Sequence, residues 1–204
     1  MNISISKQQL ALLPAAHYSG RIVVIDDSKD VDGAVAELRK ADLIGFDTET
    51  RPSFKKGQTY NVALMQLADK DTCYLFRLNK IGFPQALRDL LQDRSLTKIG
   101  LSIHDDFRNI AKVADVEPGG FVELQKYATS WNIIDKSLSK IYAILFGQRL
   151  SKTQRLTNWE ADSLSEAQQH YAAMDALACI QIYEFLKKGM FVPEKSEYQV
   201  DTTR

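Results

Sequence analysis

The chain is 204 residues long, with 26 basic and 26 acidic side chains, 45% hydrophobic residues and 25% charged ones. That length makes one large domain, or one domain with an appended arm, and the composition excludes a disordered, collagenous or coiled-coil chain. Zero net charge excludes a protein that coats nucleic acid along many phosphates, but a short end or a single strand held in a cleft still fits.

The opening segment lacks a basic stretch followed by a sustained apolar core, and no window reaches ~18 apolar residues, so neither a signal peptide nor a membrane span is expected. Cys73 and Cys179 both lie in apolar runs and read as buried free thiols of a reducing compartment. A cytoplasmic location follows as the expectation.

In chain order, residues 7–13 (KQQLALL) predict a short helix before Pro14, and 21–25 (RIVVI) a strand. A helix follows at about 31–40, then an apolar strand at 43–48 (LIGFDT) that ends in acids. After the polar loop RPSFKKGQT come strands at 61–68 (NVALMQLA) and 73–78 (CYLFRL), joined as a hairpin by the short polar link ADKDT. A helix at 84–92 leads to a strand at 97–102 (TKIGLS) and a helix at about 104–113. FVELQ, after Pro-Gly-Gly, reads as a fifth strand or as the lead into a helix. Helices at 137–146 and about 166–188 complete the pattern, the last closed by Gly189 and begun at Ser163 or Ser165, each with capping-box spacing. Strands interleaved with helices, then helices alone, predict an α/β layer architecture with a mixed sheet. The chain divides into an arm (1–19), a body (20–190) and a polar tail (191–204) expected to fray from Pro193 onward.

Three acidic groups are candidates for chemistry. Asp47 and Glu49 end the LIGFDTE strand and project to one face, Phe46 and Thr48 to the other. Adjacent carboxylates repel unless a cation sits between them, and hard divalent ions take such oxygen ligands; the plain alternative is a solvated strand end. Asp175 lies beside the core stripe of the long helix, one turn after Tyr171 and among Ala172, Ala178 and Cys179. Burying a carboxylate there requires a cation or a set of hydrogen bonds. His104, Asp105 and Asp106 stand where a strand tip passes into a helix, as capping residues or as a site at the end of a sheet. Together they place four carboxylates where two divalent ions could clamp the attacking and leaving oxygens of a phosphodiester, with Tyr171 placed to hold or deprotonate a water.

LIGFDTET, KIGLSIHDDFRNI and HYAAMDALA, in that order, resemble the three motifs of the DEDD superfamily of 3′–5′ exonucleases. The Tyr171-x-x-x-Asp175 spacing is that of its DEDDy branch, and the chain resembles the Werner syndrome exonuclease domain and ribonuclease D. NVALMQLA with CYLF, the Ser-Lys of LSKTQRLTNW and the NW that follows extend the likeness over about residues 20–188. The resemblance implies a ribonuclease H-like fold, a central mixed sheet flanked by helices. It implies Asp47, Glu49, Asp106, Tyr171 and Asp175 as the catalytic set, with two Mg²⁺ or Mn²⁺ ions held by the four carboxylates. Asp106 fits the second motif best and Asp105 is its runner-up. In the family, Glu49 would also touch the attacking water.

Two basic and aromatic loops are candidate nucleic-acid contacts: RPSFKKGQTY with Phe54 and Lys55, and residues 147–163 with Arg149, Lys152, Arg155 and Trp159. Lys152 occupies the family's Ser-Lys position, whereas Trp159 is equally suited to a packed plug. Gln-Lys after FVEL departs from the Asp-Thr of ribonuclease D-type relatives, and no helicase or C-terminal helical segment follows in the sequence, so a stand-alone catalytic domain without an obligate protein partner is expected. The expected partner is the 3′ end of DNA or RNA. A catalytically silent binding module is the rival reading, disfavoured by the intact acidic set. An Asp-nucleophile phosphatase fits poorly, because Asp-Thr-Glu is not Asp-x-Asp.

Overall fold

A computed structural model describes residues 1–200. The chain opens with β1 (Asn2–Ile3) and α1 (Lys7–Leu12), followed by β2 (Arg21–Ile25), α2 (Val31–Leu38), β3 (Leu43–Thr50), β4 (Val62–Ala68) and β5 (Thr72–Phe76). Next come α3 (Leu78–Ile81), α4 (Gln85–Gln92), β6 (Thr97–Gly100), α5 (Ile103–Ile110), β7 (Phe121–Glu123), α6 (Leu124–Thr129), α7 (Leu138–Phe146), α8 (Glu166–Lys187) and β8 (Gln199–Val200). Six strands form the sheet, in the order β2-β5-β4-β3-β6-β7. The β3–β4 and β4–β5 pairs are antiparallel and the other three are parallel, so the sheet is mixed as expected.

All seven residues of β4 are buried, because both faces of the sheet are covered. Leu64 and Ala68 belong to the core cluster that holds α6, α7 and α8, while Met65 and Leu67 belong to the one that holds α2, α4 and α5. This is the period-two alternation of a central strand between two helical layers. The β4–β5 turn is closed by the Asp69 carboxylate, which accepts from the amides of Asp71 (2.8 Å) and Thr72 (2.7 Å). The long helix begins at Ser165 rather than Ser163: Ser165 and Gln168 form the reciprocal capping box, and Gly189 closes the far end at φ 66°.

Several expectations are corrected. The strand expected at 73–78 stops at Phe76, because Arg77 turns into the core and Leu78 starts a one-turn helix. The buried Arg77 guanidinium donates to the carbonyls of Ala161 and Asp162, pinning the segment before α8 to the sheet. FVELQ is both things at once, a strand through Glu123 and a helix from Leu124.

Nor does the tail fray through residue 200. Phe191 and Tyr198 are buried, and β8 pairs antiparallel with β1. Its polar composition hid these two aromatic anchors. Ile3 and Ile5, at the other end of the chain, are fully buried in the α8-side core. The last part of the expected tail, 201–204, lies outside the described residues. Cys73 and Cys179 are buried free thiols, as the sequence implied. No helix among the described residues is long and apolar enough to cross a membrane.

Candidate active site

The site forms where β3 outruns its neighbour. β4 pairs with β3 from Gly45 to Thr50, but β6 pairs only with Leu43–Gly45, leaving one edge of the strand's acidic half uncovered. Alternation turns Gly45, Asp47 and Glu49 toward α8. A Cβ on Gly45 would lie 2.0 Å from the Ala176 carbonyl oxygen, so only glycine lets α8 approach this closely. That approach brings Asp175, 9% exposed, onto the pair from β3. Asp47, Glu49 and Asp175 each present an oxygen within 4.8 Å of the others.

Asp106 reaches the same cavity from α5. Its carboxylate accepts from the Thr48 hydroxyl at 2.5 Å. Asp105 instead is exposed and paired with Arg108 at 3.1 Å. The start of α5 is held by Glu123, whose carboxylate accepts from the amides of Ser102 (3.0 Å) and Ile103 (2.8 Å) and also from Gln125 (3.0 Å), capping α6. Ser102 adopts a left-handed conformation at φ 63°, and its hydroxyl receives a hydrogen bond from Gln125. Sequence reasoning missed Thr48 and Glu123. The available signal was a Glu at a strand end followed directly by a helix, the position of a cap.

The electrostatics follow from this crowding. Burial, then the neighbouring Asp175, pushes the Asp47 carboxyl up to about 8. Burial and the charges of Asp47, Asp175 and Asp106 push Glu49 up to about 10, against a smaller opposing pull from Arg155. Burial and Asp47 raise Asp106 to about 8. Asp175 rises to about 7 by burial, eased by a hydrogen bond from Tyr171 and by the Lys152 charge. The Tyr171 hydroxyl is pushed far above its ordinary value by burial and then by Asp175, Glu49 and Asp47, while its ring packs on Trp159 with centroids 5.9 Å apart. Carboxylates that cannot ionise together without a cation, and that offer only oxygen donors, fit a hard divalent metal.

A cavity of about 630 Å³ opens over the cluster, lined by Asp47, Asp106, Tyr171, Asp175, Lys152 and Arg155 among others. Phe54 and Lys55 do not line it. They border a separate cavity of about 380 Å³ with Arg51, Tyr60 and Leu156, where Phe54 is 81% exposed. Trp159 is fully buried and is a packing residue rather than a surface for bases.

A mixed sheet with carboxylates at the tip of its central strand, joined by one from a crossing helix, is the architecture of a ribonuclease H-like nuclease. The chain belongs to the 3′–5′ exonuclease family, within the DEDD superfamily; the family's sequence model matches residues 22–190. Members of this family depend on divalent metal, and the acidic cluster is the candidate site for it. The chain is 33% identical over 189 residues to the bifunctional 3′–5′ exonuclease/ATP-dependent helicase WRN of Mus musculus, covering 85% of this chain and 13% of that protein. Ribonuclease D of Bartonella henselae is 26% identical over 200 residues, covering 95% of this chain and 48% of that one. The chain thus spans well under two thirds of both relatives. Among solved structures, the Aedes aegypti Nibbler EXO domain superposes with a TM-score of 0.78 at 19% identity, covering 89% of this chain and 97% of that one.

Proposed function

We propose that the chain hydrolyses DNA or RNA from the 3′ end and releases nucleoside 5′-monophosphates. The observation that carries this reading is the cluster of half-buried Asp47 and Glu49 with buried Asp175, all with raised pKa values, on the tip of a sheet. Asp47, Glu49, Asp106 and Asp175 would hold two ions, Mg²⁺ or Mn²⁺. When bound, such ions let the carboxylates ionise together and supply positive charge to the oxygens that gain charge in phosphodiester hydrolysis.

The chain's own groups do the rest. Asp47 and Asp175 bind from opposite walls, one on β3 and one on α8. Thr48 fixes the rotation of Asp106 through its hydroxyl. Burial and the neighbouring carboxylates favour the protonated Tyr171 hydroxyl in the metal-free site, and that hydroxyl holds and orients the attacking water as a hydrogen-bond partner. Lys152 and Arg155, on the cavity wall, bind the phosphates flanking the scissile bond. Phe54 and Lys55, beside the site, take the strand further along.

We assign catalysis to residues 20–190, with the arm and tail as flanking segments. The four carboxylates and Tyr171 all come from this one chain. The buried free thiols support a cytoplasmic location. The test is metal dependence: hydrolysis of oligonucleotides in Mg²⁺ or Mn²⁺ and none in EDTA. Activity restored by Zn²⁺ alone, or surviving EDTA, would overturn the assignment of a hard-metal carboxylate site.

A further inference from the structure

Gln66 is fully buried, and neither its side-chain oxygen nor its nitrogen has a hydrogen-bond partner among the described residues. An apolar side chain of similar shape would avoid the desolvation cost of such an amide, so its presence needs a reason. Its position supplies one. In the β3–β4 ladder Gln66 stands directly opposite Asp47, and on its other side it is paired with Leu75 of β5. Its neighbours on the same face of β4 are Leu64 and Ala68, with α8 packed above. Asp47 is its directly opposed polar neighbour, with Glu49 diagonal to it on the same face. Directly opposed antiparallel residues have Cβ atoms about 5 Å apart, which a glutamine amide spans.

We propose that Gln66 is a positioning residue for Asp47. Its Nε2 group donates a hydrogen bond to the Asp47 carboxylate and fixes that group's rotation when the carboxylate engages a cation. An ionised carboxylate has about four acceptor sites, so acceptor capacity remains on Asp47 beside the neighbouring Thr48 backbone amide. The inference rests on reading Asp47 as a metal ligand. Groups that orient a metal's ligands typically alter metal affinity by ~10–100-fold when removed.

The test compares wild type with Gln66→Met and Gln66→Leu. The metal-free melting temperature is measured in EDTA, Mn²⁺ affinity by calorimetry, and kcat and KM on an oligonucleotide. We expect an unchanged or higher metal-free melting temperature, Mn²⁺ binding weakened about tenfold, and a lower kcat at unchanged KM that recovers partly in excess Mn²⁺. An orphaned packing residue would raise the melting temperature and leave Mn²⁺ affinity within about twofold, and that result overturns the proposal. A second measurement needs no variant. Titrating ¹⁵N-labelled wild type with Mg²⁺ should shift the Gln66 side-chain amide protons downfield, and an unmoved pair counts equally against the role. Wild type that binds no Mn²⁺ at all would overturn both this inference and the metal-site reading. Normal wild-type binding with unaltered variants overturns the role of Gln66 alone.

Discussion

Replacing Asp47 by asparagine removes one of the crowded charges of the site while keeping its shape. In the metal-free protein the Asp47 carboxyl titrates at about 8, against ~3.9 in an unfolded chain. The folded form therefore holds a proton that the unfolded form has lost over most of the range from pH 4 to 8. Stability from such a group is fully present below pH ~4 and lost as pH rises toward 8, because the native state binds more protons. At pH 7 the gap of roughly 3 units corresponds to about 4 kcal/mol for an isolated group. Sharing of protons with Glu49 and Asp175 lowers this to about 2–4 kcal/mol. The Asp47→Asn variant escapes the loss, so its metal-free melting temperature at pH 7 should rise by about 5–15 °C, at ~2–4 °C per kcal/mol for a chain of this size. The gain should nearly vanish at pH 4, and Mg²⁺ should stabilise wild type far more than the variant. Hydrolysis should be abolished. Differential scanning calorimetry in EDTA at pH 4, 5, 6 and 7 measures the effect. A melting temperature that falls on substitution, or a difference that does not change with pH, would refute the argument and make Asp47 a structural residue.

Tyr171→Phe keeps the ring on Trp159 and removes the hydroxyl; kcat should fall by about 10²–10³ with near-normal folding and KM, as judged by steady-state kinetics and circular dichroism. A change within about twofold would leave Tyr171 a core aromatic. Lys152→Ala should weaken substrate binding and flatten its dependence on salt while single-turnover chemistry persists; an unchanged salt slope returns Lys152 to the solvated surface. Glu123→Ala strips the amides at the start of α5 and α6 of their acceptor, so stability should drop by about 1–3 kcal/mol in urea unfolding and kcat should fall with it as Asp106 loosens. Retention of both would show that the α5 terminus needs no anchor.

The parts of the site that can be read in sequence are those written in local periodicity. Asp47 and Glu49 share a face because a strand alternates, and Tyr171 and Asp175 share one because a helix turns. The apolar runs of β4 and β5 and the capping box at Ser165 are legible for the same reason. What escaped depends on contacts between distant segments. Thr48 meets Asp106 across 58 positions, and Glu123 reaches back 20 positions to Ile103. Arg77 is long and charged, properties that favour a surface, yet it turns inward because two carbonyls near residue 161 await it. The end of the chain is polar on average, but the pairing of β8 with β1 rests on a few residues around Tyr198, which an average does not register. Phe54 was legible as an exposed aromatic; that it borders a second cavity rather than the acidic one is set by the path of the loop.

The central claim is hydrolysis from the 3′ end by the carboxylate cluster. It is tested most directly by incubating single-stranded and duplex DNA and RNA oligonucleotides, labelled at the 5′ or the 3′ end, with the protein in Mg²⁺ or Mn²⁺. A 5′ label should yield a ladder that shortens one nucleotide at a time, and a 3′ label should appear at once as nucleoside 5′-monophosphate, with Asp175→Asn inert in parallel. Shortening from the 5′ end, internal cuts, or binding without any cleavage by the wild-type chain would contradict it.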